Sequence, residues 1–145
     1  MSGKAPAPAA RTIARVAAAI GTQDYRVDLK TRRHDLVADE PKALGGGDAG
    51  PAPYDYLLSG LGACTAITLR MYAARKQWDL RQAHVDLRFI HQAEASRIER
   101  VITLEGDLTG EQRARLADIA ERTPVTLTLK SGVAIHTELA PDEEE

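Results

Sequence analysis

The chain has 145 residues, 43% of them hydrophobic and 28% charged, with a formal net charge of −2 at pH 7. This length and composition predict one globular domain, and the balanced charge argues against nucleic acid or a membrane as the main partner. The single cysteine, Cys64, excludes an internal disulfide and a cysteine-based structural zinc site. A free thiol survives in a reducing compartment, so we expect a cytoplasmic protein.

The two ends of the chain differ in composition from the rest. Residues 1–11 are rich in alanine and proline and predict a disordered leader, while residues 141–145 predict an acidic tail. Between them, residues 12–140 predict a single domain. The most apolar stretch, Leu57 to Met71, is interrupted by glycines and polar residues, and we expect it to be too short and too polar to span a bilayer.

The first third of the domain predicts a meander of three strands. Apolar residues or period-2 alternation mark strands over Ile13–Ile20, Tyr25–Leu29 and His34–Ala38, and the breaks between them have hairpin length. Residues 39–51 follow as a loop, because four glycines stand between two prolines.

The strongest helix prediction runs from about Pro53 to Lys76. Proline suits the first turn, Asp55 complements the positive end of the helix dipole, and the last turn is basic. Apolar residues recur every three or four positions along it. Gly60 and Gly62 cost helix propensity, so we expect another element, such as a second helix, to pack closely there.

The remaining residues predict a second set of strands and helices. Thr109 and Thr123 are good helix N-caps, and proline at 124 suits the first position of the helix that Thr123 would cap. Strand runs followed by helices indicate an α+β fold rather than a doubly wound sheet. The predicted elements are strands over 84–90 and 97–109, a helix over 110–122, a short helix from Pro124 to about Lys130, and a last strand through Val133, Ile135 and Thr137.

Cys64 is the first candidate for chemistry. Periodicity alone favours a small buried hydrophobic residue, which is what most free cysteines are. Its glycine, alanine and threonine neighbours would leave a reactive thiol uncrowded, although such a thiol also needs a cation or a helix terminus nearby. Both interpretations stay open on the residues alone. The four histidines (His34, His84, His91 and His136) stand singly, so no metal site is predicted.

Several short motifs together resemble one protein family. They are Ala38-Asp39-Glu40-Pro41, Leu44-Gly45-Gly46, the run from Gly50 to Leu58, Leu61-Gly62-Ala63-Cys64-Thr65, and the run from Thr68 to Ala73. With them the sequence resembles the OsmC/Ohr family of bacterial stress-linked thiol proteins, in its OsmC-like branch, over roughly residues 12–139.

This resemblance implies a fold, an assembly and an activity. It implies an intertwined homodimer in which antiparallel sheets surround long central helices, with the active sites at the dimer interface. It also implies a peroxidase that reduces organic hydroperoxides in oxidative or osmotic stress defence. The resemblance further implies that this chemistry uses two cysteines and no metal or other cofactor, and that an external dithiol restores the enzyme.

The family roles transfer residue by residue, with one departure. Cys64 matches the first cysteine, Asp55 the acidic residue that holds its thiolate, and Arg26 is the candidate for the stabilising arginine. The second, resolving cysteine is replaced by Thr123, and Thr126 stands where branch members often carry a histidine. The resemblance therefore implies resolution by an external thiol.

Two alternatives to this one-cysteine peroxidase stay open. One is a catalytically degenerate protein that binds a small apolar ligand or a partner in the groove of the dimer. The other is a structural dimer without a ligand.

Overall fold

The computed structural model describes residue 3 and residues 5–142 of the chain. These residues form two compact units, which divide between Tyr56 and Leu57. The predicted leader and tail lie partly outside the described residues, and those residues of the leader that are described, 3 and 5–11, are exposed and form no helix or strand. The α+β prediction is confirmed, since two small antiparallel sheets accompany one long helix and two shorter ones.

The first unit contains a three-stranded antiparallel meander in the order β1-β2-β3. Its strands are β1 (Ala17–Ile20), β2 (Val27–Thr31) and β3 (His34–Ala38). All three predicted strands are present, but β1 starts four residues later than predicted and β2 is shifted by two. The pairing of β1 with β2 extends only from Ala17 to Ile20, so the residues before it have no ladder hydrogen bonds in this sheet.

One buried carboxylate organises the loop after β3. The Asp39 side chain is 2% exposed and accepts hydrogen bonds of 2.7–3.4 Å from the backbone N–H groups of Tyr25, Glu40, Gly47 and Ala49. These bonds, led by that from Ala49, lower the pKa of Asp39. The loop includes a single 3-10 turn at Lys42–Leu44. It therefore has a fixed shape despite its glycines.

The long helix α1 spans Pro53–Lys76, as predicted. Its fully buried residues are spaced by four and form one narrow stripe: Leu61, Thr65, Leu69 and Ala73. By length and composition the helix is long and apolar enough to cross a membrane, contrary to our expectation from the shorter apolar stretch within it. Length and composition alone are weak evidence for a membrane span, because the core helix of a soluble protein meets the same two criteria.

The second unit adds a hairpin and two helices. The strands β4 (Gln82–Ile90) and β5 (Arg97–Glu105) are antiparallel, and the helices α2 (Gly110–Ala120) and α3 (Pro124–Ser131) follow. Thr109 caps α2 in a reciprocal capping box with Gln112. The core is aliphatic and consists of Leu69, Ala73, Leu80, Leu116 and Ala120.

The last predicted strand is absent from the described residues. Residues 132–142 form neither helix nor strand, and Val133 and Ile135 are exposed, Ile135 at 87%. The predicted strand was wrong for the described chain, because alternation of residues along a sequence shows only that one side of a strand would be apolar. A strand also requires a neighbouring strand to pair with its backbone groups.

The two glycines of α1 have different surroundings. A Cβ added at Gly62 would come within 2.8 Å of the Leu87 Cδ1 atom on β4, so the close approach that we predicted comes from a strand of the same unit. A Cβ added at Gly60 would meet nothing within 4 Å. The close packing predicted at Gly60 is therefore not found within the described chain.

Candidate functional site

Cys64 lies on α1 and is half-buried. Leu57 and Leu61 precede it by seven and three residues, so the three side chains share one face of the helix. Those two leucines help to line a cavity of about 510 Å³ in the second unit. Cys64 is not one of the residues that line this cavity, but it lies on the same helix face, one turn beyond Leu61.

Asp55 and Arg26, the two predicted partners of the thiolate, belong to the first unit. The Asp55 carboxylate accepts a hydrogen bond of 3.0 Å from the Ala52 backbone N–H and lies in the first turn of α1, where an anion is favoured. Arg26 donates to Asp28 at 3.3–3.4 Å, and both side chains are exposed. Their roles beside Cys64 stay predictions.

Thr123 is the N-cap of α3, as its sequence position predicts. The side chain is fully buried and accepts a hydrogen bond of 3.3 Å from the Thr126 backbone N–H. The two threonine hydroxyls also lie 2.6 Å apart and share a hydrogen bond. The residue at the position of the missing cysteine therefore has a structural role in the core.

Arg100 lies on the inner face of β5, and its guanidinium group donates three hydrogen bonds close to Cys64 and Thr123 in the sequence or in space. Its Nη1 atom donates to the Thr65 and Thr126 hydroxyls at 2.9 and 3.0 Å, and its Nη2 atom donates to the Ala120 carbonyl at 2.9 Å. Thr65 directly follows Cys64, and Ala120 ends α2. Arg100 therefore ties β5 to all three helices, and it also lines the cavity.

The sequence profile of the family described as OsmC-like protein matches residues 45–138. The match includes Cys64, Thr123 and most of the described site.

This chain belongs to the OsmC-like family. No curated protein matches it.

Solved structures of other OsmC-like proteins share the fold of this one. An OsmC-like protein from Mycoplasma pneumoniae is 19% identical, with a TM-score of 0.70 over 82% of this chain and 88% of the other. An organic hydroperoxide resistance protein OsmC from Legionella pneumophila is 17% identical, with a TM-score of 0.62 over 84% and 92%. The organic hydroperoxide resistance protein OhrB of Bacillus subtilis is 19% identical, with a TM-score of 0.57 over 81% and 90%.

The role of Arg100 in this OsmC-like protein was missed in the sequence, although a signal for it exists. Strand alternation places residue 100 on the same face as the apolar residues Ile98 and Ile102, so an inward-facing arginine could have been inferred. A search for apolar periodicity alone does not detect this arginine. A charged residue on the apolar face of a strand is the informative exception.

Proposed function

We propose that this OsmC-like protein is a one-cysteine thiol peroxidase that reduces organic hydroperoxides at Cys64. The observation that carries the proposal is the position of Cys64, half-buried on the helix face whose leucines line an apolar-walled cavity. A cavity with an apolar wall on the helix face that carries the thiol suits a hydroperoxide with an organic group better than hydrogen peroxide. The Legionella and Bacillus neighbours, both named as organic hydroperoxide resistance proteins, agree with this substrate class.

The reaction that we propose has two stages. The Cys64 thiolate attacks the outer oxygen of the hydroperoxide, the O–O bond breaks, and the leaving alkoxide takes up a proton to become an alcohol. The sulfur, oxidised by two electrons, is left as a sulfenic acid. An external thiol then attacks this sulfur and releases water, and a second external thiol reduces the mixed disulfide and regenerates Cys64.

The external thiol is required because the described chain offers no second sulfhydryl and Cys64 is the single cysteine of the sequence. A small thiol or a dithiol in a reducing cytoplasm would supply it. Asp55 and Arg26 are the proposed partners that hold the thiolate. No metal or other cofactor takes part in the proposed reaction.

We also propose that the working form is a homodimer. Most of α1 outside its buried stripe is accessible in the single chain, including the large apolar residues Ile67 and Met71, which are 53% and 66% exposed. Apolar surface of this kind on a long helix is typical of an interface. A second copy of the chain would bury it and would give Gly60 a close neighbour.

A second candidate function is a binding protein without peroxidase activity. Its support is Thr123, which is fully bonded in the core where the resolving cysteine of the family would stand. In that case the cavity would hold a small apolar ligand or a partner, and Cys64 would have no chemical role.

Steady-state turnover distinguishes the two candidates. We expect cumene hydroperoxide to be consumed at the expense of dihydrolipoamide only when protein is present, and Cys64→Ser to abolish that consumption. Equal consumption by the wild-type protein and by Cys64→Ser, or none by either, would favour the binding protein.

A further inference from the structure

The cavity in the second unit has an apolar wall and a charged border. Leu57, Leu61, Phe89, Ile98 and Leu129 contribute apolar surface. The charged residues that line it are Arg97, Arg100, Glu121 and Lys130. Its volume of about 510 Å³ falls in the range of sites for small organic ligands.

The charges at this border do not balance. Glu121 is shared by Lys130, at 2.7 Å, and by Arg100, at 3.7 Å. Arg97 shares Glu99, which does not line the cavity, with Arg88; the two distances are 3.0 Å for Arg97 and 2.6 Å for Arg88. Each of these two clusters has two cations for one carboxylate, so each carries a formal excess of one positive charge.

The excess of positive charge matters most at Arg100, because this is the buried residue of the cluster that it forms with Glu121 and Lys130. Its side chain is 12% exposed, and its hydrogen bonds go to three neutral oxygens. Its only ion-pair partner in the described chain, Glu121, is 60% exposed and is held mainly by Lys130, whose hydrogen bond is the first cause of the lowered pKa of Glu121. Buried charges in proteins are normally compensated by an opposite charge.

We propose that this cavity binds an organic ligand with an apolar body and one negative charge, and that Arg100 and Lys130 determine the preference for the anion. The apolar wall would take the chain of the ligand, and its anionic end would lie at the border, where the lining cations Arg97, Arg100 and Lys130 attract it. This preference concerns binding alone, so it holds whether or not Cys64 reacts with peroxides.

The test compares ligands that share a chain and differ in charge. Calorimetric titrations of the full-length Cys64→Ser protein measure binding without redox chemistry. The ligands are decanoate and decyltrimethylammonium, both below their micelle-forming concentrations, and 1-decanol, below its solubility limit. We expect decanoate to bind at least about tenfold more tightly than 1-decanol, since hydrogen bonds to charged groups are roughly twice as strong as those between neutral groups. The ammonium compound should bind most weakly.

Single substitutions show which side chains cause the preference for decanoate. Lys130→Gln removes an exposed cation from the border and should reduce the preference for decanoate over 1-decanol severalfold, whereas Lys76→Gln, the same change outside the cavity, should leave it unchanged. Arg100→Gln should abolish the preference. If that variant does not fold, Lys130→Gln still decides the question.

Three results would overturn the proposal. They are equal affinities for decanoate and 1-decanol, no binding of decanoate at all, and an unchanged preference in Lys130→Gln. Peroxidase turnover in the wild-type protein is scored separately, so failure of the anion preference and failure of the proposed activity are distinguishable.

Discussion

At the residue scale, Asp39 shows how one side chain can fix a glycine-rich loop. Its carboxylate accepts hydrogen bonds from four backbone N–H groups, that of Tyr25 just before β2 and three in the loop. Gly46 is required beside it, because an added Cβ would collide with the Glu40 carbonyl oxygen. The Asp39-Glu40-Pro41 and Gly45-Gly46 motifs therefore have a shared structural basis in this chain.

We predict that this carboxylate makes the stability of the fold depend on acid pH. The pKa of Asp39 is lower in the folded chain than its unfolded value of about 3.9. Its contribution is thus fully present above that unfolded value and is lost as the pH falls through the folded value. Urea unfolding midpoints measured from pH 7 down to pH 3 should fall in the wild-type protein.

Two variants provide the comparison for this prediction. Asp39→Asn should be less stable at pH 7 and should lose much of the fall towards pH 3. Asp48→Asn is the matched control, since Asp48 lies in the same loop with a positive φ of 55°, which asparagine tolerates. An Asp39→Asn profile that parallels the wild-type profile would refute the assignment.

Thr123 also acts at the residue scale, through the start of α3. Thr123→Ala removes the N-cap hydrogen bond and the partner of the Thr126 hydroxyl, so it should lower the free energy of unfolding by about 1–2 kcal/mol. Thr109→Ala removes a cap that is exposed and should cost about 1 kcal/mol or less. Equilibrium urea unfolding measures both, and a smaller loss for Thr123→Ala than for Thr109→Ala would contradict the buried role.

At the element scale, the sequence predicted the elements that local signals define. Proline at 53 and the basic pair at 75 and 76 mark both ends of α1, and the threonine caps mark α2 and α3. The strand β3 was predicted with its observed bounds because its register with β2 begins at a tight turn between Thr31 and His34. Local chemistry was sufficient in these places.

Non-local contacts account for what the sequence did not predict. The end of β5 is set by its pairing with β4, which stops at Glu105, four residues before the predicted end. The role of Arg100 depends on three helices that meet around it. The alternating residues from Val133 onwards form no strand, since a sequence pattern does not show whether a pairing partner is present.

At the scale of the whole molecule, the surface of α1 is the reason to expect a homodimer. Gly60 has a low helix propensity within α1, yet a Cβ added there would meet nothing within 4 Å outside its own stretch of helix. If α1 packs against a second copy at this point, an added methyl group would separate the two helices. If the chain acts alone, the same change would stabilise the helix by about 1 kcal/mol.

We therefore predict that Gly60→Ala weakens the dimer. Sedimentation equilibrium over a range of concentrations should show the wild-type protein as a dimer and Gly60→Ala with a larger dimer dissociation constant. Gly110→Ala adds the same methyl group in open space at the start of α2 and should leave the assembly unchanged. A wild-type protein that stays monomeric at all concentrations would refute the homodimer.

The central claim concerns the sulfur of Cys64, and intact-mass spectrometry tests it most directly. The reduced protein is mixed with one equivalent of cumene hydroperoxide in the presence of a sulfenic acid trap, with hydrogen peroxide and the Cys64→Ser protein as controls. Our account predicts one trap adduct per chain, formed faster with cumene hydroperoxide than with hydrogen peroxide and absent from Cys64→Ser. A wild-type protein that gains no adduct from cumene hydroperoxide would contradict it.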